Sequence, residues 1–168
     1  ATGQAVIEAS DQICFTGSVA TGRKVGEACA RRFIPASLEL GGKDPALVLS
    51  DANIANAARA LAWGSFVNGG QSCMSIERVY VEAPVADAFI AALVKEVSAL
   101  SLNCDDPQAG QIGPVIAASQ VELVRGQLAD AQARGARALT GGALVEQGGV
   151  WCPPTVLVDV TDDMAVVR

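Results

Sequence analysis

Short apolar runs alternate with helix-length segments along most of this chain, and that alternation leaves few architectures open. Residues 12–16 (QICFT) read as a strand and Gly17 as a turn. Val19, Gly22, Val25, Gly26 and Cys29 then recur at helical spacing behind Ser18, a residue type that caps helices, so a helix is expected over 19–32. A short extended segment, 37–40, ends at the pair Gly41-Gly42. Residues 46–49 read as a buried strand. Asp51 or Asn53 can cap the following helix, which runs to about Val67 and stops at Gly69-Gly70. Residues 77–82 (ERVYVE) alternate like a strand and 84–100 like an amphipathic helix with Pro84 in its first turn. After a turn-rich connection, 102–113, come a helix over 119–134, a short strand over 136–140, a glycine-rich hairpin and a last strand over 154–160. Strands separated by helices predict an α/β fold with a largely parallel sheet.

Composition narrows the chemistry. The chain has 168 residues, 51% of them apolar, and a net charge of −6. That length suits a packed core, while scattered basic residues argue against a nucleic-acid footprint. No apolar run approaches a membrane span, and no basic segment followed by an apolar one marks a signal peptide. Five cysteines without a CxxC pair point to a reducing, cytosolic setting and away from a disulfide framework or a zinc site. There is no histidine at all. Ser-His and Cys-His nucleophile pairs within the chain are therefore excluded, and covalent catalysis here needs another kind of base.

Three segments could carry chemistry. Residues 17–22 (GSVATG) stand between a strand and a helix, where exposed amides favour a phosphate. They fit neither GxxxxGK nor GxGxxG, so an ordinary capped helix start is the competing reading. Cys73 follows Phe66-Val67-Asn68-Gly69-Gly70-Gln71-Ser72 on a helix–strand loop, a common place for a reactive thiol, with a buried structural cysteine as the alternative. Glu39 lies between Leu38 and Leu40. Apolar surroundings would raise its pKa towards that of a general base; the alternative is a solvent-facing carboxylate or a pair with Lys43.

Taken in order, Phe15-Thr16-Gly17-Ser18 with Gly22, Leu38-Glu39-Leu40-Gly41-Gly42-Lys43-Asp44-Pro45, and 66–73 with Arg78 resemble the aldehyde dehydrogenase superfamily. The residues 160–164 (VTDDM) are similar to that family as well. The resemblance implies the end of a Rossmann-like cofactor domain over 1–41, then part of an α/β catalytic domain over 42–168. It implies NAD or NADP as cofactor and a small aldehyde as substrate. Cys73 would be the nucleophile, and Glu39 the base that activates water against the thioester. Gly17 and Ser18 would meet the cofactor pyrophosphate, and Leu40 and Gly41 its nicotinamide end. Asn68, Gln71 and Arg78 would support the cysteine loop, with Lys43 structural. No metal, membrane or nucleic-acid partner is implied, and the full-length enzyme would be a cytoplasmic homo-oligomer. A glutamate at position 39 favours release of a free acid, because the CoA-acylating members lack it. Full family members are about three times this long, so the resemblance implies an internal fragment. A non-catalytic scaffold module keeping this fold, and a thiol-dependent acyl transferase or hydrolase, are the competing readings.

Overall fold

The computed structural model describes residues 2–106 and 108–168; Pro107, in the turn-rich connection, lies outside them. The chain divides into two compact units, Ala1–Gly42 and Lys43–Arg168.

The first unit is a strand–helix–strand crossover preceded by a short helix. Its elements are α1 (Thr2–Ala9), β1 (Ile13–Gly17), α2 (Val19–Arg31) and β2 (Ala36–Leu40). The strands pair in parallel, with Ile13 opposite Ala36 and Gly17 opposite Leu40. Ile7, Ile13 and Cys29 form the core, with Phe15, Val25, Ala28, Ile34 and Ala36 packed against them. Leu38 and Leu40 face α2. A Cβ on Gly22 would stand 2.6 Å from a Leu40 methyl, and one on Gly26 would stand 3.5 Å from a Leu38 methyl. Gly22 therefore sets how closely the helix lies on the sheet.

Helix α2 ends with Phe33 at φ +54°, and the Phe33 and Ile34 amides reach Ala30 O and Cys29 O at 3.1 and 3.2 Å. Arg32 turns back to α1, donating to Ser10 O at 2.8 Å and to Ile7 O, which closes the carbonyl end of that helix. Sequence periodicity does not announce α1; a long-range cap and the burial of Ile7 hold it.

In the second unit β3 (Asp44–Val48) and β4 (Ile76–Val81) pair in parallel, and α3 (Ile54–Phe66) is the crossover between them. Asn53 caps α3, its side chain accepting from the Asn56 amide at 3.0 Å. Helix α4 (Ala86–Ser98) packs beside α3, and Val48, Ala58, Leu61 and Phe89 form the core beneath them. The other face of the pair leaves Leu47 and its cross-strand partner Tyr80 exposed. The chain continues through α5 (Ala118–Ala133), β5 (Arg137–Thr140), β6 (Val145–Glu146), β7 (Val150–Trp151) and β8 (Val156–Val158). A second core gathers Ala131, Ala136, Met164 and Val167.

The α/β class is as expected, but the sheet is not one parallel array. Four two-stranded sheets are present among the described residues: β1–β2 and β3–β4 parallel, β5–β8 and β6–β7 antiparallel. The expected final strand over 154–160 shortens to β8. Pro154 lacks the amide a ladder needs, and Asp159 sits at φ +60°, outside strand conformation. Pro84 belongs to a 3₁₀ turn, Ala83–Val85, ahead of α4 instead of opening the helix itself.

Candidate functional site

In the first unit the parallel register puts the C-terminal ends of both strands side by side, Gly17 next to Leu40. Open α/β sheets bind ligands at this edge. Helix α2 begins there. The Ser18 hydroxyl oxygen accepts from the Thr21 amide at 3.2 Å, and the Ser18 carbonyl takes the Gly22 amide at 2.8 Å. The amides of Val19 and Ala20 come before the first intrahelical donor, Gly22, and point their positive ends outward. The Phe15 ring lies over Gly17, where a Cβ would stand 2.6 Å from Phe15 Cζ. Gly41 is open, with nothing within 4 Å of an added Cβ. Gly17, Ser18, Leu40 and Gly41 thus share one edge.

Glu39 alternates with Leu38 and Leu40, so its carboxylate projects from the sheet face turned away from α2, where it is exposed. The apolar surroundings expected from its two leucines lie on the opposite face of β2. Within the second unit Lys43 Nζ pairs with Glu77 at 2.9 Å.

Cys73 belongs to the second unit and is exposed, so the alternative of a buried structural thiol is set aside. The path to it is unusual backbone. Asn68, Gly69 and Gly70 have φ of +56°, +65° and +74°, three successive left-handed residues after α3. Asn tolerates that region and glycine is free in it. At Gly70 a Cβ would also stand 3.1 Å from Ser65 O. Residues 72–75 then form a turn closed by the Ser75 amide on Ser72 O at 3.2 Å, with Cys73 and Met74 at its corner. Ser75 is 4% exposed and its hydroxyl donates to Ser65 O at 2.9 Å, tying the turn to the end of α3. The Cys73 amide donates to no acceptor among the described residues. Met74 is 74% exposed.

The loop is also held sideways. Asn68 Nδ2 donates to Gln71 O at 3.0 Å. Gln71 Nε2 donates to Pro114 O at 3.1 Å, and its Oε1 accepts the Ile116 amide at 3.0 Å. Further along, Arg78 donates to Asp162 at 2.9 Å and lies over the Tyr80 ring at 5.1 Å. The family resemblance singles out Gln71 and Arg78 but not these partners, which lie 43 to 84 residues away. Of the other cysteines, Cys14 is exposed on β1, Cys29 is buried and Cys104 is half-buried. Burial pushes the Cys152 thiol up, which keeps it protonated and unreactive near neutrality. Among the described residues no group of acidic, cysteine or histidine side chains is placed to hold a metal ion, and no helix is long and apolar enough to cross a membrane.

Known proteins are similar to this chain in sequence and in fold. The chain is 43% identical to a 4,4'-diapolycopene aldehyde oxidase from Methylomonas over 99% of its own length and 31% of that protein. An Escherichia coli NADP-dependent enzyme superposes with a TM-score of 0.92 at 36% identity, over 99% of this chain and 35% of that one. A Bacillus cereus aldehyde dehydrogenase in its NAD⁺ complex superposes at 0.89 with 32% identity, over 99% of this chain and 34% of that one. The chain thus spans about a third of the length of the relatives it matches. The profile of the aldehyde dehydrogenase family matches residues 1–168, and the chain belongs to that family.

Proposed function

We propose that this chain carries the nucleophile and the general base of an enzyme that oxidises an aldehyde to a carboxylic acid with NAD or NADP. The observation that carries the reading is Cys73, an exposed thiol at the corner of a turn tied at both ends, with its own amide unpaired among the described residues. The Cys73 thiolate adds to the aldehyde carbonyl carbon and gives a thiohemiacetal. The oxygen charge that develops meets the Cys73 amide, a fixed donor of the kind worth roughly 10²–10³ in rate. The nicotinamide cofactor, when bound, accepts the hydride lost from that carbon. What remains on Cys73 is a thioester. Glu39 takes a proton from water as the water attacks the thioester carbon. The carbon–sulfur bond breaks, the acid leaves and the Cys73 thiol is restored.

The first unit supports the cofactor. Its strand-end edge joins the two side-chain-free positions Gly17 and Gly41 to the first-turn amides of α2. That donor set suits a pyrophosphate, with Ser18 beside it and Leu40 and Gly41 towards the nicotinamide end. Met74 puts a thioether and no charge beside the thiol, which favours an uncharged aldehyde near the reacting carbon.

The test is reduction of NAD or NADP by the purified protein with a panel of aldehydes, beside Cys73→Ala and Glu39→Gln. Cys73→Ala abolishes the signal. Glu39→Gln keeps a first burst of reduced cofactor but slows steady turnover by about 10²–10⁴-fold, the usual worth of a positioned base. A Cys73→Ala protein with full activity overturns the reading.

A further inference from the structure

Gln71 uses both ends of its carboxamide on one short segment, donating to Pro114 O and accepting from the Ile116 amide. Those two groups flank residue 115, and a parallel strand would bond the same pair. Val115 turns the other way and donates to Val150 O in β7 at 2.8 Å. The segment 114–116 is thereby held between β7 on one side and a side chain imitating a strand on the other. Gln71 is also fixed by its backbone, since its amide donates to Asn68 O at 3.2 Å and its carbonyl accepts from Asn68 Nδ2 at 3.0 Å. Two residues later the chain reaches Cys73.

We propose that Gln71 is a positioning residue for the Cys73 thiol. It anchors the left-handed run 68–70 and the turn 72–75 to the β7 layer, so that thiol and unpaired amide keep one orientation. The job requires a donor and an acceptor at the tip of a side chain of this length, which glutamine supplies and an ionised glutamate supplies only in half. The inference rests on reading Cys73 as the nucleophile, yet its first test needs neither cofactor nor aldehyde.

The experiment is amide hydrogen exchange, corrected for intrinsic rates, on the full chain and on Gln71→Met and Gln71→Glu. In Gln71→Met the Ile116 and Ser75 amides exchange about tenfold faster, while the β4 amides of Val79 and Val81 keep their rates. In Gln71→Glu the ionised carboxylate still accepts from the Ile116 amide but no longer donates to Pro114 O, and the Ser75 amide is fast at neutral pH. The Ser75 amide slows again as pH falls through the new carboxyl's pKa, because the protonated acid can donate to Pro114 O. That recovery belongs to the carboxamide geometry and to no general loss of stability. Should Gln71→Met not fold, the pH response of Gln71→Glu decides alone. Unchanged exchange at Ser75, equal acceleration throughout β4, or a Gln71→Glu protein without acid recovery overturns the proposal. A kinetic arm completes it: Gln71→Met lowers kcat about tenfold at an unchanged KM for aldehyde. Unchanged kcat with a loosened Ser75 amide overturns the link to Cys73. An absence of cysteine-dependent oxidation in the unsubstituted protein instead counts against the proposed function, and leaves the exchange arm to judge the anchor.

Discussion

Gly70→Ala isolates the backbone cost of presenting Cys73. Gly70 sits at φ +74°, and an L residue with a Cβ loses about 1–2 kcal/mol there relative to glycine. The added methyl also meets Ser65 O at 3.1 Å, the carbonyl that already accepts the Ser75 hydroxyl. A backbone oxygen at the end of α3 gives way less readily than a side-chain tip, so part of that hydrogen bond, worth about 1 kcal/mol, is lost as well. The two effects sum to about 2–3 kcal/mol. Trp63 and Trp151 both lie in the second unit, so tryptophan fluorescence during urea unfolding reads it directly. With a urea slope of about 2 kcal/mol/M the midpoint falls by about 1–1.5 M. Gly113→Ala is the control, because nothing lies within 4 Å of its added methyl and its φ is not left-handed. There the substitution is neutral or stabilises by up to about 1 kcal/mol, through the unfolded chain. A Gly70→Ala midpoint within 0.3 M or so of the control refutes the idea that left-handed backbone, not sequence alone, holds this turn.

Two further outcomes follow from particular contacts. The Asp130 carboxyl is held below its ordinary 3.8 by the Ala165 amide, with Arg134 adding to this. A folded-state pKa below the unfolded one means stability that is present above about pH 4 and lost as pH falls through the lowered value, so Tm drops below pH 4 and drops less in Asp130→Asn. Gly41→Ala, adding a methyl to open space, leaves Tm unchanged within about 1–2 °C but weakens NAD or NADP binding in a fluorescence titration. Unchanged affinity counts against the placement of the nicotinamide end.

What could be read from the sequence was local. Ser18 and Asn53 cap the helices they were expected to cap, because a capping hydroxyl or amide acts within three residues of itself. Gly69-Gly70 was expected to end α3, but the helix stops at Phe66, with Val67 already out of helical conformation at ψ 136°, and the glycines lie in the left-handed run that follows from Asn68. What escaped is held from afar. Helix α1 leans on Arg32, whose contact with Ser10 O spans 22 residues, and it leaves no periodic trace in its own segment. Strands β5 and β8 were legible as strands, but their antiparallel pairing across the glycine-rich hairpin was not.

The candidate site shows the same division with a sharper consequence. A carboxylate between two leucines invites a reading of apolar surroundings, but β-strand alternation sends neighbours to opposite faces. Leu38 and Leu40 go to α2, and Glu39 goes to the open face. The same alternation that turns its neighbours towards α2 therefore leaves Glu39 free to reach water, as its proposed role as a base requires. Cys73 is presented by a different device, a turn that leaves regular structure altogether and is tied back through Ser75 and Gln71. The family motifs point to both residues. Only strand parity and three left-handed backbone positions explain why each is exposed, and these belong to the fold and not to the motif.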